Sequence, residues 1–226
     1  MDNEFWYERW RQNQIGFHKA EINPYLQDHW PKLAVQPGGR VLVPLCGKSN
    51  DMLWLLARGY QVIGIELSPL AVEAFFSENR LQPTVRRQGD FLISEISGLQ
   101  IYCGDFFALQ SSVLGKIDAI YDRAALVALP HAMRNDYVAH LSALTFPGLQ
   151  ILLITFNYPQ LEMPGPPFSV PAEEVAALFQ GWCATQLLAD VDIISQELQF
   201  KQRGLSRLHE QVYRLTVNRG VINAKS

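Results

Sequence analysis

The stretch Arg40–Pro69, RVLVPLCGKSNDMLWLLARGYQVIGIELSP, constrains the fold more than any other part of the chain. Arg40 to Leu45 is a short apolar run rich in β-branched residues, the composition of a parallel strand covered on both faces. Gly47 supplies a turn at which backbone approaches a ligand closely. Ser49, Asn50 and Asp51 are all capable helix N-caps. Leu53, Leu56 and Ala57 then recur at helical spacing, and Gly59 ends the helix. Gln61 to Ile65 is a second apolar strand, and it ends on Glu66. This is a βαβ unit with an acid at the carboxyl end of its second strand. Open α/β sheets bind ligands at the carboxyl ends of their strands, and an acid there suits ribose hydroxyls.

The turn is not a dinucleotide fingerprint. Gly-x-Gly-x-x-Gly requires glycines near 45, 47 and 50, and the chain has Leu45, Gly47 and Asn50. A single glycine does not make the close pyrophosphate turn, which counts against a nicotinamide oxidoreductase. A phosphate-free nucleoside fits better, and the short Gly47-to-Glu66 spacing suits S-adenosylmethionine (SAM). The same spacing also serves a plain crossover in which Glu66 and Ser68 cap the next helix.

The chain has 226 residues, 48% of them hydrophobic and 18% charged, enough for one domain with a large core. We expect a single domain over 1–226, with a cap over 1–35 and the core over 36–219. The net charge of −3 argues against a nucleic-acid partner. No apolar run approaches the ~20 residues that span a membrane. The acidic, aromatic start MDNEFWYERW is not a signal peptide. Cys46, Cys103 and Cys183 have no metal-like spacing, so no metal is expected and a reducing cytoplasm is.

Residues 3–13 read as a helix with Trp6 and Trp10 on one face, either an amphipathic cap or a lid in which Trp10 and Phe17 close over a ligand. A second helix is expected over 24–30. Ser68 N-caps a helix that starts at Pro69 and runs to about Asn79. Thr84–Gln88 and Phe91–Glu95 flank Gly89-Asp90 as a hairpin insertion. Further strands are expected at 99–103, 117–121 and 150–155, with closing strands at 182–192 and 208–218 around a charged turn at 201–204. Helices fill 131–144 and 171–179, with His131 and His140 on the surface. Gly104-Asp105 after the third core strand suits an adenine edge, or else Asp105 forms an Asx-turn. Asp122-Arg123 ends the fourth. The Pro-rich segment 157–168 makes a stiff loop at a strand end, where binding residues concentrate.

Trp10…Gly16-Phe17-His18, the loop Val43-Pro44-Leu45-Cys46-Gly47-Lys48, Gly64-Ile65-Glu66, the run Asp122–Ala128 and Pro164-Gly165-Pro166-Pro167-Phe168 together resemble the thiopurine S-methyltransferases. The resemblance covers Phe5 to about Val217 and is nearest to the compact bacterial members. It implies a Rossmann-like class I methyltransferase: α/β, doubly wound, with a mostly parallel seven-stranded sheet, an N-terminal helical lid and the hairpin insertion. It implies SAM as cofactor, S-adenosylhomocysteine as product, and contacts from Trp10, Leu45, Gly47, Glu66, Gly104, Asp105 and Arg123. Phe17, His18, Pro166 and Phe168 would face the acceptor, and Arg123 would stabilise its thiolate. Animal members carry a further arginine before the last strand, where this chain has Gln199, so a difference in acceptor is expected.

The activity so implied is methyl transfer to the sulfur of thiopurines and other aromatic or heterocyclic thiols, by a monomer without nucleic-acid or membrane partners. Methylation of selenium or tellurium species is the alternative within the enzyme class. A non-catalytic nucleotide-binding protein on the same fold is the alternative outside it.

Overall fold

The structure is a computed structural model and describes residues 3–16 and 18–218. Helices α1 (Asn3–Arg11) and α2 (Pro24–His29) come first. Strand β1 (Arg40–Pro44), helix α3 (Asp51–Ala57) and strand β2 (Gln61–Glu66) then form the expected βαβ unit, and α4 (Pro69–Glu78) follows. The hairpin β3 (Thr84–Gln88) and β4 (Phe91–Ile96) precedes β5 (Leu99–Cys103), α5 (Ser111–Leu114), β6 (Ala119–Arg123) and α6 (His131–Ala143). The chain closes with β7 (Gln150–Asn157), α7 (Ala172–Phe179), β8 (Cys183–Asp192), α8 (Leu198–Gln202) and β9 (His209–Val217).

Among the described residues the strands form one sheet in the order β3-β4-β5-β2-β1-β6-β7-β9-β8. The five central strands run parallel, and two strands join antiparallel at each edge. The seven expected strands are all present, and the hairpin is no separate appendage: it extends the sheet to nine by pairing Leu92–Ile96 against Leu99–Cys103. Strand order reverses at β1, which pairs β2 on one side and β6 on the other. A crevice opens beyond the carboxyl ends at such a reversal.

Alternation along the strands divides the core between the two sheet faces. Val41 and Val43 pack with Leu26, Met52, Leu55 and Phe75 from α2, α3 and α4. Leu42 packs on the other face, in the layer that holds Tyr137, Leu141, Val175 and Phe179 from α6 and α7. The sheet is therefore doubly wound, and its strands read as nearly unbroken apolar runs because both faces are covered.

Several local expectations change. Ser68 occupies the N-cap of α4 but its side chain makes no cap bond; its buried hydroxyl lacks a partner, and Glu66 Oε1 accepts from Ser68 N instead. His140 is half-buried rather than on the surface, because Phe106 and Phe107 close edge-on over its ring, with centroids 4.8 and 5.7 Å away. Lys201 and Gln202, expected in a turn, belong to α8. The 182–192 and 208–218 strands start at Cys183 and His209.

Gly64 in β2 is required by packing. A Cβ there would stand 2.7 Å from Cys46 Sγ and 3.1 Å from Met52 Sδ. Cys46 is thus a packing residue, fully enclosed, and burial drives its thiol well above the ordinary range. Gly64→Ala is expected to destabilise the fold by ~1–3 kcal/mol through overpacking. Cys46→Ala vacates the space that the new methyl needs, so the double variant should lose less than the sum of the two singles in urea unfolding. Strict additivity would show that the sulfur contact is not the cause.

Candidate functional site

The turn after β1 is built around one carboxylate. Leu45 and Gly47 both take left-handed conformations, φ 47° and 52°. Gly47 does so at no steric cost, whereas Leu45 holds a strained backbone at the cavity wall. Glu66, 6% exposed at the end of β2, braces the turn: Oε2 accepts from Gly47 N at 2.8 Å and Oε1 from Ser68 N at 2.7 Å. Burial raises the Glu66 pKa, and the backbone donors at Ser68, Gly47 and Leu67 oppose that rise. Each oxygen has a further lone pair, and the side chain lines a cavity of about 680 Å³. That volume lies within the ~300–1,000 Å³ of small-molecule sites.

Helix α1 covers one side of the opening. A Cβ on Gly47 would meet the Trp10 indole at 3.4 Å, so the ring lies directly over the turn. Tyr7 stands close enough to the strand ends that its hydroxyl pKa is raised, chiefly by burial and then by Cys103, Glu4, Glu66 and Asp105. Yet no residue of α1 is fully buried. Lys19 Nζ, beyond the helix, ties to Glu197 Oε1 at 2.9 Å just before α8.

The end of β6 supplies a second cluster. Asp122 is fully buried and accepts from Tyr137 Oη at 2.7 Å and Leu126 N at 3.1 Å; burial lifts its pKa to about 6. It is a structural group that holds the strand end. Arg123, the next residue, points to the other face and into the cavity. Its Nη1 lies 3.9 Å from Asp51 Oδ2, and Asp51 is 1% exposed. Asp51 Oδ2 also accepts from Tyr121 Oη at 2.9 Å, and Oδ1 from Asn23 N at 2.8 Å. Residue 124 again takes a left-handed conformation, φ 61°, on an alanine.

Trp10, Leu45, Gly47, Glu66, Asp105, Arg123, His18 and Pro166 all line this one cavity. Gly104 and Phe168 are not among its lining residues. A Cβ on Gly104 would meet the Phe91 ring at 2.6 Å, so this glycine serves the approach of the hairpin. The Phe168 ring covers Gly165, and the Arg134 guanidinium lies 5.9 Å from its centroid. Asp105 is exposed and closes an Asx-turn by accepting from Phe107 N at 2.9 Å. Burial, with Lys48 and Arg123 nearby, keeps His18 below the ordinary histidine range although Glu78 and Asp51 pull the other way. Phe17 lies outside the described residues.

Sequence reasoning missed three groups. Asp51 reads only as an N-cap candidate, and its role as a partner of Arg123 depends on tertiary packing. Arg203 lines the cavity four residues beyond Gln199, which also lines it. Glu210 lines the cavity from β9, and burial raises its pKa to about 7. Nothing in the mixed polar and apolar run of β9 singles it out in the sequence. Among the described residues no cluster of His, Cys, Asp or Glu suits a metal ion, and no helix is long and apolar enough to cross a membrane.

The model of the thiopurine S-methyltransferase family matches residues 1–218. The chain is 52% identical over 215 residues to a thiopurine S-methyltransferase from Nitrosospira multiformis, covering 95% of this chain and 98% of that one. A relative of the same name from Pseudomonas fluorescens is 50% identical over 215 residues, with 95% and 99% covered. The fold is similar to that of a 1,6-didemethyltoxoflavin-N1-methyltransferase from Burkholderia thailandensis solved with S-adenosylhomocysteine, at a TM-score of 0.64 and 14% identity over 96% of this chain and 87% of that one. On the match along residues 1–218 and the identity to these relatives, the chain belongs to the thiopurine S-methyltransferase family.

Proposed function

We propose that this protein transfers the methyl group of SAM to the sulfur of a thiopurine or another aromatic or heterocyclic thiol. The observation that carries the reading is the convergence of Glu66, the Gly47 turn, the Trp10 cover and Arg123 on one cavity. Glu66 offers its remaining lone pairs to the ribose hydroxyls, and the Gly47 turn lets backbone lie close beneath the nucleoside. Trp10 covers it from the lid side. Bound SAM supplies an electrophilic methyl on a sulfonium. The protein's task is to hold a soft nucleophile in line with it, and such positioning is worth ~7–11 kcal/mol. Arg123, aligned by Asp51, faces the acceptor and favours its thiolate, as a nearby cation lowers a thiol's pKa. A monomer in a reducing cytoplasm suits three cysteines that all remain free.

A methyl-transfer panel of thiopurines, thiophenols and selenium or tellurium oxyanions tests the reading. Turnover of the thiols is expected; transfer to the oxyanions alone would replace it with metalloid methylation.

Glu66→Ala should weaken SAM binding by ~2–4 kcal/mol, through loss of hydrogen bonds to a charged acceptor. The variant should still unfold cooperatively. Unchanged affinity by calorimetry would remove Glu66 from the cofactor site.

Because α1 covers the opening without burying a residue fully, ligand should order it. Amide exchange over 3–16 is expected to slow when S-adenosylhomocysteine is added. Equal protection in both states would make α1 a permanent wall.

Arg123→Ala should lower turnover most for weakly acidic thiols. The wild-type to variant rate ratio, measured at fixed pH over thiophenols of falling pKa, should shrink toward the most acidic. A flat ratio with weakened SAM binding would place Arg123 on the cofactor side only.

A further inference from the structure

Glu210 is an unusual feature of the acceptor end. Register places it. Arg123 in β6 lies opposite Ile154 in β7, and β7 pairs β9 with Val212 opposite Ile154 and Glu210 opposite Phe156. Side chains two apart share a sheet face, so Arg123, Ile154, Phe156 and Glu210 project from one face, and all four line the cavity. The strands of Arg123 and Glu210 are two ladder spacings apart, ~10 Å. A planar heterocycle fits between side chains reaching inward from those two strands. Among the described residues no ion pair joins the two, and the Glu210 carboxylate accepts no protein hydrogen bond. Its neighbour Gln211 on the opposite face is bound to Asp190 Oδ2 at 2.7 Å and to Tyr213 Oη at 2.9 Å.

The surroundings make this carboxylate a proton acceptor for use near neutrality. Burial raises its pKa to about 7; Arg123 from β6 and Lys19 beyond α1 oppose the rise, and Glu197 before α8 adds to it. Tyr121 from β6 and Tyr25 from α2 lie in its field too, and burial keeps both phenols protonated. Asp51 and His18 complete the charged and titratable groups around Arg123. Phe156 on β7 and Ile154 beside it bring no charge.

Heterocyclic thiols pose a problem that thiophenols do not. They exist largely as thiones, with the proton on a ring nitrogen beside the C=S carbon. Methylating the sulfur leaves a cation unless that N–H is lost. We propose that Glu210 is a further catalytic residue, whose carboxylate accepts the ring N–H of a thione acceptor and takes its proton as the sulfur is methylated. The acceptor's sulfur forms the new bond to carbon while the sulfonium carbon–sulfur bond breaks. The C=S becomes C–S, the ring C–N becomes C=N, and the proton ends on Glu210. The proposal rests on the reading of this cavity as a thiol-methylating site and adds the class of acceptor for which it is equipped.

The test compares wild type with Glu210→Gln and Glu210→Asp on a pyridinethione and on a nitrothiophenol that is ionised throughout. Removing a general base costs ~100-fold or more, so kcat for the thione should fall by that order in Glu210→Gln. The nitrothiophenol rate should fall far less, and Glu210→Asp should lie between. In wild type the thione rate should rise with pH through about 7, as Glu210 ionises, while the nitrothiophenol rate holds level. Equal losses on both acceptors, or no loss on the thione, would overturn the proposal. Should Glu210→Gln fail to fold, the wild-type profiles decide alone: parallel profiles for the two acceptors overturn it. If wild type methylates the nitrothiophenol but Glu210 has no effect on the thione, this inference falls and the functional reading stands. If it methylates neither, both fall.

Discussion

The site depends first on the Glu66 carboxylate. It joins the turn after β1 to the start of α4, through Gly47 N on one side and Ser68 N on the other. Those two amides belong to segments that would otherwise leave orphan donors at strand and helix ends. A buried carboxylate without partners costs several kcal/mol, and hydrogen bonds from backbone amides offset that cost. Whether Glu66 caps a helix or reads a ribose is therefore not a choice between rivals. The carboxylate that fixes both turns also faces the cavity, and fixing the turns is what orients it.

The acceptor end is organised differently. Asp51 is buried at the start of α3, and its three neighbours come from two other parts of the chain: Asn23 before α2, and Tyr121 and Arg123 from β6. Removing one partner of a buried charge costs ~3–5 kcal/mol, because the other is left uncompensated. Arg123 therefore has a reason to hold its place without ligand. The alanine that follows, Ala124, takes a left-handed conformation. Two non-glycine residues in that conformation, Leu45 and Ala124, both lie on the cavity lining. Backbone strain persists where the surroundings over-determine it, and both sites are braced by a buried acid, Glu66 in one case and Asp122 in the other.

Much of this was legible from residues. The β-branched runs, Gly59, Pro69 and the Gly89-Asp90 turn located strands and helices to within a few positions, because local chemistry decides them. The pairing of the turn with its acid was legible too, since Gly47 and Glu66 are tied by one short crossover. What escaped was of two kinds. Some residues act through neighbours distant in sequence, as Asp51 does with Arg123 across 72 positions; Gly104 makes room for Phe91, and Phe106 and Phe107 enclose His140. The other kind is register. That Glu210 shares a face with Arg123 follows from pairings across two strand boundaries, and a one-residue slip would have sent it to the opposite side.

This division of labour has a consequence for specificity. The turn braced by Glu66 is made largely from backbone and one acid, within a continuous piece of chain, so it changes little without disturbing the sheet. Other parts of the cavity wall come from side chains on α8, β6, β7, β9 and the segment beyond α1. Some of these are exposed, and substitution at those positions affects few buried contacts, unlike substitution of Arg123 beside Asp51. Gln199 and Arg203 illustrate it. They lie four residues apart, on the same side of a short helix, and both face the cavity. A cation supplied from position 203 instead of 199 moves the positive charge by about one turn, ~5.4 Å, and leaves the helix and its Phe200 anchor in place. The cavity wall at α8 can thus change its charge without touching the buried residues that hold the sheet, which separates the chemistry of that wall from the stability of the fold.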